Sequence, residues 1–207
     1  MIKQSIKTLA LTIFFLSTAS FASANLVTNG SFESDVGLSS GGWSVYTSID
    51  GWATIDGPGI EVQNNTIVTA QNGNQYVELD SDFATDTNST MEQIINTIAG
   101  EEYTFSFYYM SRPGTSSATD GISVSWDGSY LDTVSSESIW TEYTYLLTAS
   151  TDSTSLIFSA VGTGDKLGGF IDNVSVTAAP VPEPATMLLF GVGLAGLAGT
   201  QLRRKKK

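Results

Sequence analysis

The chain has 207 residues, with 21 acidic and nine basic side chains and a formal net charge of −12. It contains no histidine and no cysteine, which excludes imidazole or thiolate catalysis, disulfides, and zinc or iron sites built from these residues. Between residues 25 and 179 only Arg112 and Lys166 oppose 20 acidic residues, a net charge of −18. Because such a segment repels a phosphate backbone, nucleic acid is excluded as a partner.

The first 24 residues have the parts of a secretory signal peptide. Lys3 and Lys7 precede an apolar run over 8–16, and Ala22-Ser23-Ala24 places small residues where signal peptidase cuts. The apolar run is too short to cross about 30 Å of hydrocarbon comfortably. We therefore predict an exported protein, cut by signal peptidase between Ala24 and Asn25.

The segment 25–179 alternates apolar and polar residues in several runs, a period typical of strands rather than helices. Turn-forming pairs such as Asn72-Gly73 and Asp127-Gly128 separate the runs. We predict one all-β domain over 25–179, a two-sheet antiparallel β-sandwich of the jelly-roll type. The predicted strands are 60–63, 75–79, 91–97, 103–109, 122–126, 143–147, 156–160 and 170–177, with a further strand region at 25–33.

One buried acid and one pair of acids raise the possibility of a metal site or of catalysis. Strict alternation places Asp172 on the same side as Phe170, Val174 and Val176, so its carboxylate points inward and needs a partner. Calcium would supply one, and a solvated strand end or a basic partner are the alternatives. Glu78 and Asp80 would share a strand face as a glycosidase pair does, but 20 acids make such pairs inevitable. We predict that the protein is not an enzyme.

Several aromatic residues are candidates for sugar binding, because pyranose rings stack on aromatic faces. The candidate glycan-binding residues are Trp52, Tyr108, Trp126 and Tyr130; the alternative is that they are core or ordinary surface residues. We interpret Trp43 and Trp140 as core residues at the sheet edges.

The last 28 residues predict a membrane segment. Residues 180–184 form a proline-rich linker, and residues 185–202 carry no charge over about 27 Å of helix. Five bases follow at 203–207 and resist translocation. We predict a transmembrane helix over 185–202 and a basic cytoplasmic tail over 203–207.

Pro182, Glu183 and Pro184, the apolar segment and the basic cluster stand in the order of the PEP-CTERM sorting signal, and the tail closely resembles that family. The resemblance implies that an exosortase processes the chain. It also implies that the chain is held in the inner membrane at least transiently, and is then delivered to the cell surface or to an extracellular, biofilm-type matrix.

The middle of the chain resembles the galactose-binding-like jelly roll of bacterial carbohydrate-binding modules. The resemblance rests on the opening NLVTNGSFE at 25–33, the closing GFIDNVSV at 169–176, Trp43 in a GGW, the QYVEL at 75–79 and the GEEYTFSF at 100–107. It implies a structural calcium ion held by Glu33 and Asp172.

Together these features predict an exported surface or matrix protein with a structural or adhesive domain. The alternative is a glycan-binding module that recognises exopolysaccharide.

Overall fold

The computed structural model describes residues 23–34, 37–82, 88–180 and 191–193. In these ranges the chain forms twelve strands: β1 (Trp43–Tyr46), β2 (Ser48–Ile49), β3 (Trp52–Asp56), β4 (Ile60–Asn64), β5 (Gln75–Glu78), β6 (Thr90–Asn96), β7 (Glu102–Met110), β8 (Gly121–Trp126), β9 (Ser129–Val134), β10 (Thr141–Thr148), β11 (Ser153–Val161) and β12 (Phe170–Ala178).

The strands form two six-stranded antiparallel sheets. The first sheet has the order β1-β4-β5-β12-β7-β10, and the second has the order β2-β3-β6-β11-β8-β9. This confirms the predicted all-β, two-sheet antiparallel sandwich. The C-terminal strand β12 lies inside the first sheet, between β5 and β7.

The eight predicted strand runs are all present, with ends shifted by up to three residues. The clearest is β7, in which Tyr103, Phe105, Phe107 and Tyr109 are buried and the residues between them are not. The strands that the sequence did not predict are β1, β2, β3 and β9, which are short or lack a regular apolar alternation. Strand β9 has one fully buried residue, Val134, and a register shift against β8.

The opening segment, predicted as a strand region, runs beside β12 without forming a regular strand. Leu26 donates its N–H to the Val176 carbonyl, and Val174 donates to the Gly30 carbonyl, both at 2.8 Å. Asn29 and Phe32 have φ angles of 50° and 58°, which break the extended conformation.

The core between the sheets is rich in aromatic side chains, and two predicted sugar-binding residues belong to it. Trp52 is 2% exposed and packs on Phe32 and Phe158, each with ring centroids 5.9 Å apart. Trp126 is 4% exposed and packs on Tyr103 and Phe105. Burial contradicts the prediction that these two rings bind a glycan. Each instead contributes about 1.5–3 kcal/mol of hydrophobic stabilisation.

The signal peptide prediction over 1–24 lies outside the described residues except for Ser23 and Ala24. Of the membrane helix predicted over 185–202, only Gly191, Val192 and Gly193 are described, and they are helical. Within the described ranges, no helical segment reaches the length and hydropathy that crossing a bilayer requires.

Candidate functional site

The outer face of the first sheet carries a row of large side chains at its β1 end. Strand pairing places Trp43 of β1 opposite Gln63 of β4, and Gln63 opposite Tyr76 of β5. Directly opposed residues share a sheet face, with Cβ atoms about 4.5–5.5 Å apart. The three side chains therefore form one continuous row across three strands.

A second row beside the first brings two acidic residues together. Glu61 of β4 is paired with Glu78 of β5, which is paired with Phe170 of β12. Both carboxylates lie on the outer sheet face, yet both are buried. The loop before β12 covers Glu78. This loop needs glycine at Gly168, because a Cβ atom there would clash with the Asp80 Cβ at 2.8 Å. Asp80 accepts backbone N–H groups of the same loop.

Hydrogen bonds fix the two carboxylates. Glu78 accepts from Arg112 Nη1 at 2.7 Å, from Gln63 Nε2 at 2.6 Å and from the Gly168 N–H at 2.6 Å. The same Gln63 Nε2 donates to Glu61 at 2.8 Å. The Tyr76 hydroxyl donates to Gln63 Oε1 at 2.8 Å, so both ends of this amide are held.

Burial dominates the electrostatics of this network. Desolvation raises the pKa of Glu78 well above its ordinary value of 4.5, although the Arg112 guanidinium opposes the rise. Desolvation also raises the pKa of Glu61, against hydrogen bonds from the Asp82 N–H and from Gln63. Arg112 compensates the negative charge of this network through its ion pair with Glu78. It is one of two bases between residues 25 and 179.

A cavity of about 300 Å³ opens above these rows. Its lining has one aromatic ring, two apolar loop residues and a polar and charged remainder: Trp43, then Ile67 and Leu167, then Glu61, Gln63, Thr66, Asp82, Arg112, Asp165 and Lys166. We call it the Trp43 cavity. It offers an apolar ring surface next to fixed donors and acceptors.

The interpretation of Trp43 and Trp140 as core residues is wrong. Trp43 is 45% exposed, because it points outward from the edge strand β1. Trp140 lies half-buried on the outside of the first sheet, where its Nε1–H donates to the Thr69 carbonyl at 2.9 Å and its ring meets Tyr76 edge-on.

The two remaining predicted sugar-binding residues do not meet at this cavity. Tyr108 lies half-buried on the outer face of β7, paired with Asp172 on one side and Glu142 on the other. Burial and the neighbouring Glu142 raise the pKa of its hydroxyl. Tyr130 is 66% exposed on β9, in the other sheet. The four predicted residues thus occupy separate places and form no common site.

Glu33 and Asp172, the predicted calcium ligands, do approach the same turn. Asp172 Oδ2 accepts the N–H groups of Gln71 and Asn72 at 2.8 Å, and its Oδ1 accepts the Asn173 N–H at 2.6 Å. Glu33 Oε1 accepts the N–H groups of Asn74, at the end of the turn, and of Gln75, the first residue of β5, both at 2.6 Å. Despite these bonds, burial raises the pKa of Asp172 to about 7.

This donor set does not fit a calcium site. Calcium takes six to eight oxygen ligands, whereas the groups that face these carboxylates are N–H donors, whose positive ends repel a cation. In the described part of the chain, no three or more acidic residues gather where they could hold a metal ion. Backbone amides therefore supply the partner that the buried Asp172 requires. They reach it on the outer face of the first sheet, because the bulge between Asp172 and Ser175 ends the alternation that predicted a core-facing carboxylate.

Sequence reasoning missed Trp43, Glu61, Gln63 and Arg112 as members of one site. A signal was present in β4, where Ile60 and Val62 alternate with Glu61 and Gln63 and so place the polar pair on one face. The opposing strands could not be identified from the sequence, because β1 and the order β1-β4-β5 depend on long-range pairing.

Two families match the chain. The PEP-CTERM protein-sorting motif matches residues 180–205, which confirms the resemblance of the tail. The motif indicates an exported protein that is transiently anchored in the membrane before an exosortase processes it. The family described as "Protein of unknown function (DUF642)" matches residues 25–177.

Curated relatives match only a small part of their own length. The multifunctional-autoprocessing repeats-in-toxin of Vibrio cholerae serotype O1 is 31% identical over 162 residues, which cover 77% of this chain and 3% of the toxin. The Vibrio vulnificus toxin is 30% identical over 152 residues, with 72% of this chain and 3% of the toxin covered.

Among solved structures, a cyclase from Fischerella sp. TAU in complex with 4-(1H-indol-3-yl)butan-2-one has a TM-score of 0.58 and 18% identity. The match covers 78% of this chain and 100% of the cyclase, and it shows a shared sandwich fold. The DUF642 match at residues 25–177 spans most of the chain and reaches from the opening segment to β12. This chain belongs to the DUF642 family of proteins of unknown function.

Proposed function

We propose that the exported domain binds a glycan in the Trp43 cavity and leaves it chemically unchanged. The observation that carries this proposal is the half-exposed Trp43 ring beside a buried, fully hydrogen-bonded polar floor. Sugar rings have an apolar face that stacks on aromatic rings and a rim of hydroxyl groups that needs donors and acceptors. The Trp43 cavity offers both within one space of about 300 Å³.

The rigidity of the floor supports binding. Gln63 is held at both ends of its amide, by Tyr76 on one side and by the two carboxylates on the other. Arg112 is held by Glu78 and lies over the Phe170 ring, with its guanidinium carbon 5.9 Å from the ring centroid. Groups already ordered before binding lose little conformational entropy when the ligand arrives.

The same hydrogen bonds weigh against a hydrolase. Retaining glycosidases place two carboxyl groups about 5–5.5 Å apart, and the opposed Glu61 and Glu78 suggest such a pair. Glu78, however, is fully buried and accepts from three donors, and Glu61 accepts from Gln63 and from the Asp82 N–H. Neither carboxyl group is free to reach a glycosidic bond. The Glu78–Asp80 pair considered from the sequence has the same defect, because Asp80 is also fully buried.

The sorting signal supports a place of action outside the cell. After cleavage by signal peptidase and processing by exosortase, the domain would stand at the cell surface or in the extracellular matrix. There the ligand would be the polysaccharide that surrounds the cell, and binding to it would make the protein an adhesive component of that layer.

A glycan array tests this function with two matched variants. The full chain, kept soluble in a detergent that contains no sugar, is compared with Trp43→Ala and with Tyr130→Ala, an exposed aromatic residue on the other sheet. We expect binding that Trp43→Ala weakens at least about tenfold and Tyr130→Ala leaves unchanged. Equal loss in both variants, or unaltered binding by Trp43→Ala, would contradict the proposal. Release of new reducing ends from a bound glycan would show catalysis.

A further inference from the structure

A second cavity, of about 340 Å³, lies next to the Trp43 cavity. It is formed where β7 ends, β8 begins and the chain enters β10, and Arg112 lines both cavities. We call it the Asp120 cavity. Each cavity alone is near the lower limit of ordinary ligand sites, which run from about 300 to 1,000 Å³.

Asp120 gives this cavity an unsatisfied acceptor. Asp120 lines the cavity, is 2% exposed, and its Oδ1 has no hydrogen-bond partner among the described residues. Its main chain is fixed, because the Tyr109 hydroxyl donates to its carbonyl at 2.7 Å. A buried carboxylate oxygen without a donor is costly, so an unpaired one in a cavity wall points to a donor that comes from outside.

The rest of the lining defines the chemistry of that donor. The only other acidic residue in the lining is Glu137, whose two oxygens already accept from the hydroxyls of Tyr143 and Thr141. The guanidinium of Arg112 donates to Glu78 through Nη1. Most remaining lining residues carry hydroxyls: Ser111, Thr115, Ser117, Ser136 and Ser138. Such a wall accepts hydroxyl donors and repels carboxylates.

We propose that the Asp120 cavity is a second subsite of the same glycan-binding groove. The ligand is then a neutral oligosaccharide that passes Arg112 and donates a hydroxyl to Asp120 Oδ1, and uronic acids are disfavoured at that position. This inference rests on the proposed function, because it extends a ligand that already occupies the Trp43 cavity.

Isothermal titration of the full chain in sugar-free detergent tests the subsite. The probes are neutral glucose and galactose oligomers of one to six residues, in β-1,4, β-1,3 and α-1,4 linkages, and the same oligomers ending in a uronic acid. We expect affinity to rise with length in the wild-type chain. Asp120→Ala should weaken the longer oligomers at least about tenfold and leave the shortest bound oligomer unaffected. Ser138→Tyr, an exposed position that fills the cavity instead, should do the same if Asp120→Ala impairs folding.

The outcomes separate the two proposals. Loss of binding at every length in Trp43→Ala, with an unaltered length dependence in both Asp120→Ala and Ser138→Tyr, overturns the second subsite and leaves the proposed function standing. Wild-type affinity of Trp43→Ala, or no binding of any probe by the wild-type chain, overturns the proposed function itself. Tighter binding of a terminal uronic acid than of its neutral counterpart overturns the stated ligand class.

Discussion

The Arg112–Glu78 ion pair under the Trp43 cavity predicts that removing Arg112 destabilises the fold strongly, by an amount that depends on pH. Arg112→Met removes the guanidinium, 2.7 Å from Glu78, and keeps an apolar stem beside Phe170. Removing one partner of a buried pair leaves an uncompensated charge and costs about 3–5 kcal/mol. For a domain of this size that lowers the melting temperature by roughly 6–20 °C.

The charge on Glu78, rather than lost packing, should cause this loss. Combining Arg112→Met with Glu78→Gln removes the charge and keeps an acceptor for the Gly168 N–H, so we expect the double variant to regain more than half of the lost stability. A carboxyl group whose pKa is raised in the folded state favours folding at low pH, and this contribution is lost as the pH rises. Arg112→Met should therefore be less destabilised at pH 5 than at pH 8.

Urea unfolding at the two pH values, followed by tryptophan fluorescence, measures these differences. The reasoning is refuted if Arg112→Met stays within about 1 kcal/mol of the wild-type chain at pH 8, well below the cost of an unpaired buried charge. It is equally refuted if the double variant is no more stable than Arg112→Met.

Four further predictions concern the fold, the ions and the tail. Because burial raises the pKa of Asp172 from 3.8 to about 7, its stabilising contribution is complete below pH 3.8 and disappears as the pH rises through about 7; Asp172→Asn should remove that part of the slope in urea unfolding. Calcium and magnesium at equal ionic strength should raise the melting temperature equally by screening the net charge, and a calcium-specific rise that Asp172→Asn abolishes would restore the predicted site. Residues 25–179 alone should give a soluble, β-rich protein with one cooperative melt, and aggregation would count against this boundary. Mature protein from a strain with an exosortase should lack residues 192–207 by intact mass; a retained tail would mean a permanent anchor.

The sequence predicted the strands that carry regular alternation and large apolar residues, because the period of two in β7 or β11 is a local property. It did not predict which strands lie side by side. The strand order determines which aromatic residues are buried. Trp52 begins β3 after a two-residue turn and lies in the core, whereas Trp43 lies on the edge strand β1 and points outward. Local pattern gives a residue's phase within its strand, but the sheet face that becomes buried depends on pairing far along the chain.

The burial of Asp172 was predictable, but the sheet face on which it is buried and the identity of its partner were not. Strict alternation within β12 puts the carboxylate on the core side with Val174 and Val176. The bulge between Asp172 and Ser175 instead leaves it opposite Tyr108 on the outer face, where it is still fully buried. The amides of Gln71 and Asn72 that satisfy it come from a turn about a hundred residues earlier in the chain. Likewise, the meeting of Glu61, Gln63 and Glu78 with Arg112 needed the β4–β5 register, which no motif specifies.

The interior position of β12 has a consequence for how the protein is made. The first sheet has its last-synthesised strand between β5 and β7, and the opening residues lean on that strand as well. The sheet therefore cannot close until residues 170–178 have left the translocation channel, and by then the start of the sorting motif at 180–205 already occupies that channel. Completion of the first sheet must therefore follow secretion, whereas the second sheet contains no part of β12. A hydrophobic tail that stays in the membrane would hold the new domain at the membrane surface while β12 inserts between β5 and β7.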